Sequence, residues 1–113
     1  MLRGEIWLVN LDARLGLEIH RTRPCVIINN DILGQLPNKV VVPLVDWNER
    51  YAQADWMVRI EPNRLNGLTR ACAADALQIR SISQERLIRQ VGVLTNNLLQ
   101  KINDAIDIVV KEF

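Results

Sequence analysis

The chain reads as an α+β protein that is mainly β: a small, curled antiparallel sheet closed by one C-terminal helix. Three observations predict it. Most of the sequence up to residue 76 consists of short apolar or alternating runs, separated by Gly, Pro, Asn and Asp. Only residues 98–110 repeat apolar side chains at three- and four-residue spacing. The length of 113 residues suits one domain, spanning 1–113, because two separate units would each be near the size where a core needs staples.

Taken in order, the first strand is Glu5-Ile6-Trp7-Leu8-Val9, after Gly4 and before Asn10-Leu11-Asp12. Residues 10–24 are a long polar connection, and residues 25–28 are apolar throughout, as in a strand buried on both faces. Turn formers fill 29–38, and residues 39–45 make a third strand in which Pro43 predicts an edge or a bulge. Residues 46–55 are looped, and 56–60 alternate in period two. Pro62-Asn63 and Asn66-Gly67 mark turns before a strand within 69–76. Ser83 with Glu85 predicts a short helix starting at Ser83, and Gly92 breaks the run after it. Thr95, Asn96 and Asn97 are N-cap candidates for the last helix. Its stripe of Leu98, Leu99, Ile102, Ala105, Ile106, Val109 and Val110 opposes Lys101, Asn103, Asp104, Asp107 and Lys111.

Composition excludes several classes. With 49% hydrophobic and 24% charged residues the chain is not disordered, and no window approaches the roughly 18 apolar residues of a transmembrane helix. The acid at Glu5 interrupts any secretory leader, which predicts a cytoplasmic protein with no membrane association. Cys25 and Cys72 match no zinc spacing and read as buried, reduced thiols. One histidine rules out a multi-histidine metal cage, and there is no phosphate-binding glycine loop, so no cofactor is expected. The net charge is +1, yet 11 of the 14 cations are Arg. That ratio reflects either a genome favouring Arg codons or a need for the rigid guanidinium fork that fits phosphate and carboxylate. The loop Gly16-Leu17-Glu18-Ile19-His20-Arg21-Thr22-Arg23-Pro24 concentrates an acid, an imidazole and guanidinium groups at the mouth of a buried strand. Such a loop either holds a phosphodiester and stabilises its transition state, or pairs its charges internally.

The residues also carry a resemblance. Arg3-Gly4-Glu5-Ile6-Trp7-Leu8-Val9-Asn10-Leu11-Asp12 resembles the opening of the MazF/PemK (Kid) toxins. Gly16-Leu17-Glu18 with Thr22-Arg23-Pro24, then Asn30-Asp31, then Val41-Val42-Pro43-Leu44, are similar to further elements in family order. Gln78-Ile79-Arg80-Ser81-Ile82, with Arg86-Leu87 and Gly92, completes a match over nearly the whole chain. The resemblance implies an SH3-like β-barrel of the MazF/CcdB kind with a C-terminal helix, usually a homodimer. It implies the toxin of a toxin–antitoxin pair that cuts single-stranded RNA without metal, leaving 2′,3′-cyclic phosphate and 5′-hydroxyl ends. It also implies inhibition by a MazE-like antitoxin, whose acidic segment lies over the RNA groove.

Carried over by position, the resemblance makes Arg23 the catalytic arginine and Glu18 its orienting glutamate. The position of the catalytic Thr is Val45, which can neither donate nor accept a hydrogen bond; losing one such bond costs roughly 10²–10³ in rate. The Kid-type Arg and Asp are likewise replaced, by Asp75 and Leu77. His20 and Asp46 are candidate replacement bases, although Asp46 reaches the groove only through a bulge or the strand end. Arg21, Thr22, Trp47 and Arg80 are candidate substrate contacts. Trp47 and Trp56 either stack on bases or fill a rim or dimer interface. Arg80 and Arg86 contact phosphates or pair with Asp75 and Glu85. The alternative to an enzyme is a degenerate or non-nuclease member that binds antitoxin or a protein target in the CcdB manner.

Overall fold

A computed structural model describes residues 1–11 and 22–111. Glu18, His20 and Arg21 lie outside the described residues. The strands are β1 (Glu5–Asn10), β2 (Thr22–Ile27), β3 (Asn38–Asp46), β4 (Met57–Ile60), β5 (Cys72–Asp75), β6 (Arg80–Ser83) and β7 (Leu87–Val93), and the helix α1 (Asn96–Val110) comes last. All the strands pair antiparallel in the order β4-β5-β3-β2-β1-β7, with β6 also on β3. The mainly β architecture with a C-terminal helix is the one expected.

The sheet is open rather than a closed barrel. No ladder joins β4 to β7 among the described residues; a turn spans the gap instead. Buried Asn66 accepts at Oδ1 from the backbone N–H groups of Asn63 and Leu68, both at 3.0 Å, and donates from Nδ2 to the Glu61 carbonyl at 2.8 Å. The rigid turn so formed offers the Leu65 carbonyl to the Val93 N–H at 3.0 Å. Register shifts in the β1–β7 ladder, between Ile6 and Trp7 and again between Leu8 and Val9, sharpen the local twist.

Strand alternation sends side chains to two apolar clusters. Ile6, Val26, Val42, Leu44, Val58, Ile60 and Ala74 pack under α1, which contributes Leu99, Ile102 and Ala105. Val9, Cys25, Ile27, Val41, Ile82 and Leu87 form a smaller cluster apart from it. Thr95 caps α1, its Oγ1 accepting from the Leu98 N–H at 3.3 Å. Val110, placed on the apolar stripe by its spacing, is exposed at the last turn.

One sequence expectation changes: Ser83 caps only one 3-10 turn (Gln84–Arg86), not a helix, and residues 87–93 continue as β7 because pairing with β1 outweighs local preference. At Pro43, where an edge or a bulge is expected, the structure has a local edge and no bulge. The Ile28 N–H donates to the Val40 carbonyl, so even-numbered residues of β3 aim their backbone groups at β2 and odd ones at β5 and β6. Pro43 faces the gap between the Val41↔Arg80 and Leu44↔Ala74 pairs, bridged by a 3-10 turn (Ala76–Gln78), where no N–H is needed.

Both cysteines are free and buried, and burial pushes the Cys25 thiol up to about 12. Arg80 and Arg23 oppose that shift without cancelling it. Cys25 is therefore a neutral packing group and no nucleophile. Two results are expected. Neither thiol reacts with a disulfide reagent at pH 8 until denaturant is added; labelling of native Cys25 at the rate of an exposed thiol would refute its placement. Stability also falls as pH rises above 9, because the unfolded thiol then loses its proton while the folded one keeps it up to about 12.

Candidate functional site

The site arises where β3 loses its neighbours on both edges. By the same parity of backbone groups, Pro24 in β2 would aim an N–H at β3, and having none it ends that ladder at Cys25↔Pro43. On the other edge Pro43 faces the gap between β5 and β6. Around this unzipped stretch lies a cleft of about 290 Å³, lined by Leu11, Arg23, Pro43, Val45, Asp75, Gln78 and Arg80.

Alternation explains the membership. Arg23 shares a face of β2 with Cys25 and Ile27, Val45 a face of β3 with Val41 and Pro43, and Arg80 a face of β6 with Ile82. Ala73 is registered with Val45, and Asp75 stands two residues further along the same face of β5. The smaller apolar cluster continues these faces, so the cleft has a packed foundation.

The described lining of the cleft carries two cations and one anion. Among the described residues, Arg23 and Arg80 make no ion pair and Asp75 is the only carboxylate lining the cleft. Asp75 Oδ1 accepts from the Leu77 N–H at 3.1 Å. Burial raises its carboxyl above the ordinary value, and the hydrogen bond from Leu77 opposes that shift. Two guanidinium groups, a carboxylate and the Gln78 amide form a set suited to an anion with a hydroxyl beside it, not to a cation.

Of the residues singled out from the sequence, the structure brings Arg23 and Arg80 together. It does not bring Asp46 there. The β3–β5 register runs unbroken through Leu44, Val45 and Asp46, so Asp46 turns to the opposite face. There it meets Arg70 at 3.3 Å, both side chains about 70% exposed. Thr22 lies one residue from Arg23 and so faces away, outside the cleft. Trp47 also stands elsewhere: its Nε1 donates to Glu49 at 3.1 Å, Arg59 covers its ring at 4.7 Å, and Tyr51 meets it edge-on. Trp56 lines a separate apolar hollow with Tyr51 and Met57. Arg86 donates to the Asn10 carbonyl at 3.2 Å. Sequence reasoning misses Asp75 as a cleft residue, although the spacing Ala73, Asp75 within a strand is the signal that could find it.

Fold and cleft together define a small, curled β protein with a cleft whose described lining carries two guanidinium groups free of ion pairs among the described residues. The chain belongs to the PemK-like, MazF-like toxins of type II toxin–antitoxin systems, a family that matches residues 2–110. It is 33% identical over 109 residues to the endoribonuclease MazF9 of Mycobacterium tuberculosis, covering 94% of this chain and 92% of that one. It is 30% identical over 108 residues to an endoribonuclease MazF of Staphylococcus saprophyticus, covering 96% and 89%. Its fold is shared with a mycobacterial endoribonuclease solved in complex with its cognate antitoxin, at TM-score 0.76 and 21% identity, covering 97% and 94%. Among the described residues no helix is long and apolar enough to cross a membrane.

Proposed function

We propose that this toxin is a sequence-specific endoribonuclease. It cuts single-stranded RNA without a metal, leaving 2′,3′-cyclic phosphate and 5′-hydroxyl ends. The observation that carries the reading is the pair Arg23 and Arg80, gathered in one cleft with no ion pair among the described residues. A guanidinium aimed at a phosphodiester stabilises the charge that grows on its oxygens as the adjacent ribose 2′-hydroxyl attacks in line. Arg23, rooted in β2 and half-buried, is the clamp on the scissile phosphate; Arg80, more exposed, holds the strand beside it. By the resemblance Glu18 orients Arg23, with His20 a candidate base and Arg21 a substrate contact; Thr22, which faces away from the cleft, takes no part.

The protein acts in the cytoplasm as a homodimer and is neutralised by a MazE-like antitoxin. An acidic, partly disordered segment of that partner would place carboxylates where phosphates bind, ordering itself on the same arginines. Relatives named for endoribonuclease activity support catalysis over the binding-only alternative, although Val45 leaves the cleft without the usual hydroxyl.

Incubating the purified protein with a long single-stranded RNA in EDTA tests the reading. The expected result is cutting at a short recurring sequence, with fragments bearing 2′,3′-cyclic phosphate and 5′-hydroxyl. Intact RNA after incubation with folded, antitoxin-free protein would refute it, as would cleavage that appears only when a divalent metal is restored.

A further inference from the structure

We propose that Asp75 is the general base of the cleft, accepting the proton of the attacking ribose 2′-hydroxyl; the inference rests on the ribonuclease reading. The resemblance assigns no such role, since it places Asp75 where the Kid-type pattern has an arginine. Among the described residues it is the only carboxylate on the cleft wall, and it stands on the same face of β5 as Ala73, the partner of Val45.

Three features suit it to the task. Its Oδ1 is held by the Leu77 N–H at the start of the Ala76–Gln78 turn, which orients the group and leaves Oδ2 for the substrate. It makes no ion pair with Arg23 or Arg80, so neither guanidinium locks it away. Partial burial raises its basicity above that of a free aspartate. Among the described residues, few charged groups surround it. Arg23 on β2 and Arg80 on β6 share the cleft, and Arg59 on β4 is bound to Glu61 at 2.6 Å and covers Trp47. Behind the turn, Ala76 packs in the apolar core with Leu99, Ile102 and Ala105.

The step balances without a co-reactant beyond water. The 2′ O–H bond breaks and its proton passes to the Asp75 carboxylate as the 2′ oxygen bonds to phosphorus. The bond from phosphorus to the 5′ oxygen breaks, its electron pair stays on that oxygen, and water supplies the proton. Asp75 then returns its proton to solvent, and the products are the cyclic phosphate and the 5′-hydroxyl.

Single-turnover cleavage of an RNA oligonucleotide, measured from pH 4.5 to 9 for the full chain, Asp75→Asn and Asp75→Glu, tests this. Asparagine keeps an acceptor for the Leu77 N–H, so the turn is retained. Binding of the 2′-deoxy oligonucleotide, which cannot be cut, separates catalysis from structure. The expected result is a loss of about 100-fold or more for Asp75→Asn and disappearance of the acidic limb of the pH profile, with deoxy-oligonucleotide binding kept within about threefold. Asp75→Glu keeps the limb and part of the rate. An Asn variant with unchanged rate and profile, or one whose binding falls as much as its rate, would overturn the proposal. A wild-type protein that cuts nothing would instead sink the ribonuclease reading, and this inference with it.

Discussion

Replacing Arg23 by alanine will lower the rate of RNA cleavage by about 10³-fold or more while the protein stays folded. The size reflects what the side chain would do. A preorganised guanidinium that meets charge appearing only in the transition state contributes about 4 kcal/mol, and each 1.4 kcal/mol is roughly tenfold in rate. The fold should not notice. Arg23 makes no ion pair among the described residues, and its backbone pairs with Val9 in the middle of the sheet whatever the side chain. Arg23→Lys is the sharper comparison. It keeps the charge but loses the planar fork, so about 10²-fold should still be lost if two donors grip the phosphate together. Rates at saturating RNA, with thermal melts of each variant, check both claims. Full activity in Arg23→Ala would move the catalytic centre away from this cleft, and Arg80 would be left as a binding residue only.

Much of this site is legible in the sequence, and the rest is hidden for identifiable reasons. Arg23 and Arg80 stand in different strands 57 positions apart, yet both fall inside stretches that resemble one family in register. Their meeting then comes from β3, which pairs with β2 on one edge and β6 on the other. The strands β1 and β3 and the helix α1 are legible because their patterns are strong and uninterrupted. β6 and β7 are not. Arg80–Ser83 is too short to show a period, and Leu87–Val93 buries only Leu87 fully, so neither displays the apolar alternation of a half-buried strand. Asp46 shows the limit of choosing a residue by adjacency. It comes directly after Val45, and for that reason it faces the other way; Asp75, 30 positions further on, shares Val45's face through the β3–β5 register. In the sequence, Pro24 and Pro43 mark separate places in separate strands. In the fold they interrupt the same region of the sheet from opposite edges, a relation that exists only once register is known.

The largest effect on stability is expected at Gly92, where alanine should cost about 3 kcal/mol. A β-carbon built there would sit 2.4 Å from the carbonyl carbon and oxygen of Asn66 and 2.5 Å from the Leu65 oxygen. All three are backbone atoms of the turn that spans the two ends of the sheet, and that turn cannot withdraw cheaply. Asn66 is buried and committed to three hydrogen bonds through its side chain, and Leu65 accepts from the Val93 N–H. Moving the turn outward would break that last bond and open the sheet along β7. Moving β7 instead would strain its pairing with Ile6, which is registered with Gly92 in the β1 ladder. Gly67 makes the same contact from the other side: its φ is +66°, and a β-carbon there would lie 2.2 Å from the Val91 carbonyl oxygen. Glycine is needed at both positions because the sheet is drawn together by close backbone approach and not by a ladder. Urea unfolding of Gly92→Ala against the wild type measures the cost. A midpoint unchanged within error would mean that β7 and the turn do not approach so closely, and that the curl of the sheet is held by α1 alone.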